Sequence, residues 1–174
     1  YTESLLGKEK AELYIKGIRN NIQNDSPIIG KYGVRNEGSG DMYYKGANML
    51  HTIRTVINDD EKFRQILRGL GKDFYHQTVT TKQIEDYISK KSGINFSKVF
   101  DQYLRTSQIP TLEYSQEGTT LKYRWTSTVE GFDMPIRING TETISPSKDW
   151  KTVTLKDGSE VKFDDNYYVK YQKM

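Results

Sequence analysis

The sequence predicts an α+β chain: a helical lobe over residues 1–110, then a small antiparallel β-sandwich over residues 111–174. Three observations predict it. Apolar residues recur at helical spacing as far as Leu104 and alternate with polar ones after Pro110. Turn pairs interrupt the second half at Glu117-Gly118, Asn139-Gly140 and Asp157-Gly158, the last two typical of tight hairpins. The chain also holds 13 tyrosines, which suit half-wet sheet surfaces better than helical cores.

The first helix takes Leu5, Leu6, Leu13, Ile15, Ile18 and Ile22 at roughly helical spacing. It ends near Asn24-Asp25-Ser26-Pro27, because the residue before a proline avoids the α region. A polar loop with Gly30, Gly33, Gly38 and Gly40 follows, and Ser39 or Asp41 fits the N-cap of a second helix reaching about Ile57. Its apolar stripe is Met42, Met49, Leu50, Ile53 and Ile57. Asp59-Asp60 opens a third helix, with Phe63, Ile66, Leu67, Leu70 and Phe74 facing inward. Thr80-Thr81 starts a fourth that runs through Lys91 and closes at Gly93. Phe96, Val99, Phe100, Tyr103 and Leu104 mark a fifth, ended before Pro110. Beyond it, six or seven short strands are read at Leu112 and Tyr114, Leu121 to Trp125, Ile136 and Ile138, Val153 and Leu155, Val161 and Phe163, and Tyr167 to Tyr171.

A net charge of +3, from 26 basic and 23 acidic residues spread along the chain, does not favour nucleic acid or an anionic membrane as partner. No run of about 18 apolar residues offers a transmembrane segment. Without cysteine the chain has no disulfide, thiol nucleophile or thiolate ligand, and its compartment is left open. Tyr1 opens directly into a helical pattern, with no initiator methionine or signal peptide, which reads as a piece cut from a longer chain.

Groups able to carry chemistry are few. The histidines are His51 and His76. His51 sits mid-helix, where a half-buried, satisfied imidazole is a plainer reading than a ligand or base. His76 falls at a helix end, where a cation complements the helix dipole. No His-Glu-x-x-His, glycine-rich phosphate loop or Gly-x-Ser-x-Gly is present.

Against that background stands Tyr43-Tyr44-Lys45-Gly46. It resembles the Tyr-x-Lys-Gly motif of the aminopeptidase N family of gluzincin zinc peptidases. The similarity continues in order through the helix from Gly46 to Val56, Asp60-Glu61-Lys62-Phe63, and Val79-Thr80-Thr81-Lys82-Gln83-Ile84. Ser92-Gly93, Phe100, Tyr103-Leu104 and Ile109-Pro110-Thr111-Leu112 complete it. Residues 8–36 are similar more loosely, and the chain from 111 onward in type and position only.

The resemblance implies that the helical lobe is the C-terminal lobe of a thermolysin-like catalytic domain. In the family, Zn²⁺ is held by two histidines of His-Glu-x-x-His and a glutamate on the following helix, and the motif's own glutamate is the general base. A glycine-rich motif and a further glutamate hold the substrate's free amino group. The tyrosine of Tyr-x-Lys-Gly donates a hydrogen bond to the oxyanion as the peptide carbonyl becomes tetrahedral; by position it is Tyr43, not Tyr44. Phenols suit that role, being protonated at neutral pH and able to donate to developing negative charge. The helix N-terminus beside Tyr43 adds positive potential. Lys45 and Gly46 are expected to be structural, the glycine permitting close helix approach. The zinc histidines and the base would lie N-terminal to Tyr1, so no metal-binding or cofactor-binding residue is assigned in the chain. Glu3 stands too near the tyrosine motif for the third ligand and reads as a solvent-facing residue further along that helix.

The chain is therefore expected to be the C-terminal part of a zinc aminopeptidase that removes N-terminal residues from peptides when complete. By itself it is expected to be inactive and to bind no catalytic zinc. Its expected partners are peptide substrate and the missing N-terminal half of the catalytic domain. The alternative is a non-catalytic binding or scaffold module, with Trp125, Trp150 and nearby tyrosines as an aromatic platform for peptide or carbohydrate.

Overall fold

A computed structural model describes residues 2–174, so the expectation that Tyr1 opens a helix lies outside it. Where the sequence predicts one N-terminal helix, the chain forms α1 (Thr2–Leu6), α2 (Lys8–Gly17) and a 3-10 turn (Ile18–Asn21). Gly7 makes the break: its φ of 83° belongs to the left-handed region, which glycine enters without steric cost.

The next four helices lie where the pattern places them. They are α3 (Asp41–Ile57), α4 (Asp60–Asp73), α5 (Thr81–Ser92) and α6 (Ser97–Arg105). Asp59 caps α4 by accepting from the Lys62 amide at 2.9 Å. Thr80 and Gln83 form a reciprocal capping box at the start of α5, and Gly93 at φ 79° closes that helix. The cap of α3 is Gly40, neither Ser39 nor Asp41, although the Ser39 hydroxyl accepts from the Asp41 amide at 3.1 Å. Two residues assigned to buried stripes face solvent instead: Met42 on α3 and Leu67 on α4. Among the described residues no helix is long and apolar enough to cross a membrane.

Strands begin at Thr111. β1 (Thr111–Glu117) and β2 (Thr120–Thr126) form a hairpin around Gly118, at φ 56°. β3 (Ile136–Ile138) and β4 (Glu142–Ile144) form a second around Asn139-Gly140, both at positive φ. β5 (Lys151–Thr154) pairs antiparallel with β2, and β6 (Lys170–Lys173) pairs with β1. The four-stranded sheet runs β5-β2-β1-β6 and the remaining sheet is the β3-β4 hairpin.

This differs from an all-antiparallel expectation in one pairing, because β6 runs parallel to β1. Parallel neighbours need a crossover, and residues 155–169 supply one, so Asp157-Gly158 is not a hairpin turn. Within that crossover Val161 and Tyr167 are buried, but the ladder there is a single bridge, Ile138 to Phe163. The alternation read as strands is a packing pattern over the core.

Along β2, Leu121, Tyr123 and Trp125 point inward while Lys122 and Arg124 point out. These side chains join Met49 and Ile53 of α3, Phe100 and Tyr103 of α6 and Ile136 of β3 in one apolar cluster. The α+β composition is thus built on a core that draws on helices and strands together.

Candidate functional site

Helix α3 carries the Tyr-x-Lys-Gly sequence on its first turns, and a polar row runs along its buried side next to the apolar Met49 and Ile53. Asp41, Lys45, Asn48 and Thr52 recur at steps of four, three and four residues, which aligns them on one side. All four are buried. Each meets backbone from a different segment. The amides of Gln23 and Asn24 donate to the Asp41 carboxylate at 2.9 and 2.7 Å. Lys45 donates to the Thr106 carbonyl at 2.8 Å, and Asn48 to the Ile15 carbonyl at 3.2 Å. Thr52 accepts from the Tyr168 amide at 2.9 Å. A polar group taken from water must be satisfied or it costs stability, and here the satisfaction itself fixes the helix in place.

Lys45 is the most demanding member, with an ammonium on a fully buried side chain. Burial pushes its pKa below the ordinary value, while the Asp41 and Asp25 carboxylates pull the other way. Its acceptor lies just past the last residue of α6, where unpaired carbonyls and the helix dipole favour a cation.

With that turn held from the inside, Tyr43 points out, 72% exposed, and Tyr44 is 40% exposed. The phenol of Tyr43 is therefore open to a partner. The positive potential expected from the helix end is opposed by the Asp41 carboxylate in the same turn. Gly46 does not permit a close helix approach, since nothing stands within 4 Å of where its Cβ would be. That role falls to Gly69 on α4, where a Cβ would collide with the Tyr87 hydroxyl.

Glu3 is held in a two-pronged ion pair with Arg54 at 2.6 and 2.9 Å, and is not a free solvent-facing carboxylate. The hydrogen bond from Arg54 holds its carboxyl below the usual range. His51 is half-buried, with Nε2 3.0 Å from the Asn166 side-chain oxygen. Burial lowers its pKa from 6.5, Arg54 and Arg19 add to that, and Asn166 and Glu12 oppose it. His76 sits beyond α4 at φ 52° with its ring edge-on to Tyr75. The carbonyl of Asp73 is met by the Gln77 side chain at 2.9 Å, so Gln77 does the capping expected of His76.

Neither tryptophan offers a free platform. Trp125 is fully buried and its indole N–H donates to the Met134 carbonyl at 3.1 Å. Trp150 is covered by Lys122 and Arg124, 4.8 and 4.5 Å from its ring centre.

The apolar stripe of α3 predicts burial of Met49 and Ile53, which the structure shows, but does not predict the polar spine beside them. The signal is present in the sequence as Asp, Lys, Asn and Thr at helical spacing.

No known protein-family profile matches this sequence, and no curated protein matches it. Among solved structures the chain is similar to Legionella pneumophila aminopeptidase A in complex with aspartic acid, with a TM-score of 0.54 and 19% identity. The match covers 97% of this chain and 20% of that one, so the chain spans about a fifth of that protein's length. At this identity the likeness is one of fold alone: the chain folds as part of that protein does.

Proposed function

We propose that the chain is the C-terminal part of a zinc-dependent aminopeptidase of the gluzincin type, in which Tyr43 donates a hydrogen bond to the oxyanion formed at the scissile carbonyl. In this reading residues 1–110 are the helical C-terminal lobe of a thermolysin-like catalytic domain. Residues 111–174 are the β-sandwich domain that follows it. The observation that carries the reading is the contrast within one turn: Lys45 fully buried and bonded to Thr106, Tyr43 72% exposed. Such an arrangement fixes the backbone while leaving the phenol to meet a substrate, which is what a preorganised donor requires. The fold likeness to an aminopeptidase over nearly the whole chain supports it.

Among the described residues no three of His, Cys, Asp and Glu converge, Glu3 is committed to Arg54, and His51 faces Asn166. In this proposal the metal belongs to polypeptide outside the chain, and no metal-dependent step is assigned to residues 2–174. Hydrolysis of aminoacyl chromogenic substrates by the complete gene product, with and without chelator, tests the reading. Chelator-sensitive release of the N-terminal residue supports it, and absence of hydrolysis, or hydrolysis indifferent to chelator, sinks it.

A further inference from the structure

The outermost helical layer is built inside out. Helices α1 and α2 bury no residue. Their large apolar side chains face solvent: Leu5 is 62% exposed, Leu6 55%, Leu13 65% and Tyr14 58%. What joins the layer to the protein is polar. Glu3 pairs with Arg54 on α3, Lys8 with Asp60 at the start of α4, and Lys16 with Asp165 in the crossover. Surface helices ordinarily turn their apolar stripe toward the core. Four large apolar side chains pointing outward in so short a span mark a surface that something covers.

We propose that this layer is an internal interface, covered by polypeptide that precedes α1 in the same chain. The proposal rests on the reading of the chain as part of a longer peptidase. Two observations favour this occupant over a second copy. The fold likeness fills 97% of this chain but 20% of the solved protein, where the same fold is one piece of a much longer polypeptide. In addition, the layer adjoins the candidate site. The Asn48 side-chain amide donates both to the Ile15 carbonyl of α2 and to the Tyr44 carbonyl of α3. Polypeptide resting on α1 and α2 thus covers a layer that is hydrogen-bonded to the helix presenting Tyr43.

The absence of cysteine allows a direct test by site-specific thiol labelling. Leu13→Cys and Leu5→Cys probe the layer, and Leu67→Cys, on the exposed side of α4, is the control. Maleimide labelling is followed by mass spectrometry in the 174-residue protein and in the complete gene product. The expected result is comparable labelling of all three sites in the 174-residue protein, with Leu5→Cys and Leu13→Cys slowed at least tenfold in the complete product and Leu67→Cys unchanged. Equal labelling in both proteins overturns the proposal, as does a coding sequence with nothing ahead of Tyr1. Protection that already appears in the 174-residue protein and grows with its concentration also overturns it, assigning the face to a second copy. Peptidase activity is not read here, so failure of the catalytic reading and failure of the interface are separate results.

Discussion

The Lys45 ammonium on α3 and the Thr106 carbonyl just beyond α6 stand 2.8 Å apart, and the lysine side chain is fully buried. The pair ties the turn that presents Tyr43 to the end of α6. Lysine is seldom buried so completely, because an ammonium out of water must be compensated. Compensation here comes from the end of α6 and from the Asp41 and Asp25 carboxylates.

Removing that side chain leaves a carbonyl unpaired and a void beside it. Lys45→Ala is expected to lower unfolding free energy by about 2–4 kcal/mol, combining the lost charge-assisted bond with the cavity. Lys45→Met fills the space without the charge and is expected to recover part of the loss. Urea denaturation of both variants checks this.

Gly46 lies inside α3 with open space where a Cβ would stand. Gly46→Ala is expected to stabilise the 174-residue protein by about 0.5–1 kcal/mol, the usual gain for alanine over glycine in a helix interior. A loss of stability on the same denaturation curves would show that the glycine is needed for its backbone.

Arg54 joins α1 to α4 by bonding both Glu3 and Asp60. Because α1 buries no residue, this clamp is a polar tie between α1 and the helices beyond α2. Arg54→Ala is expected to cost about 1 kcal/mol globally, since the carboxylates are partly exposed. The larger effect is local. Hydrogen exchange of residues 2–6 should lose its protection while β1 and β2 keep theirs.

The pH dependence of stability should carry a His51 component. Its folded pKa lies below the ordinary 6.5, with burial the foremost cause. Between those two values the unfolded chain binds more protons, so stability falls as pH drops through the window below 6.5. Glu3 and Asp60 are held low by Arg54, so their contribution is present above their ordinary values of 4.5 and 3.8 and is lost only at lower pH. His51→Gln, which retains an amide facing Asn166, should flatten the curve in the window below pH 6.5 and leave the limb set by Glu3 and Asp60 unchanged.

Much of the helical half was legible because local chemistry decides it. The Asp59 cap, the Thr80 box and the Gly93 terminus each act within one turn, and all stand where the sequence puts them. What was not legible depended on distant partners. Gly7 divides a continuous apolar pattern. The parallel register of β6 depends on where residues 155–169 cross, which no local pattern encodes. Met42 and the leucines of α1 and α2 fit a helical period but face water, while Asp41, Lys45, Asn48 and Thr52 turn inward because backbone groups of other segments wait there. Tyr43 was found through its motif, and its exposure came only with the structure.

The most direct measurement of the central claim is kcat/KM of the complete gene product on aminoacyl substrates for Tyr43→Phe and Tyr44→Phe. The account predicts that Tyr43→Phe lowers it by about 10²–10³, the usual loss for one oxyanion donor, with unchanged urea stability. Tyr44→Phe should stay within a few-fold of the unaltered protein. Near-full activity in Tyr43→Phe, or equal losses in both variants, would contradict the claim.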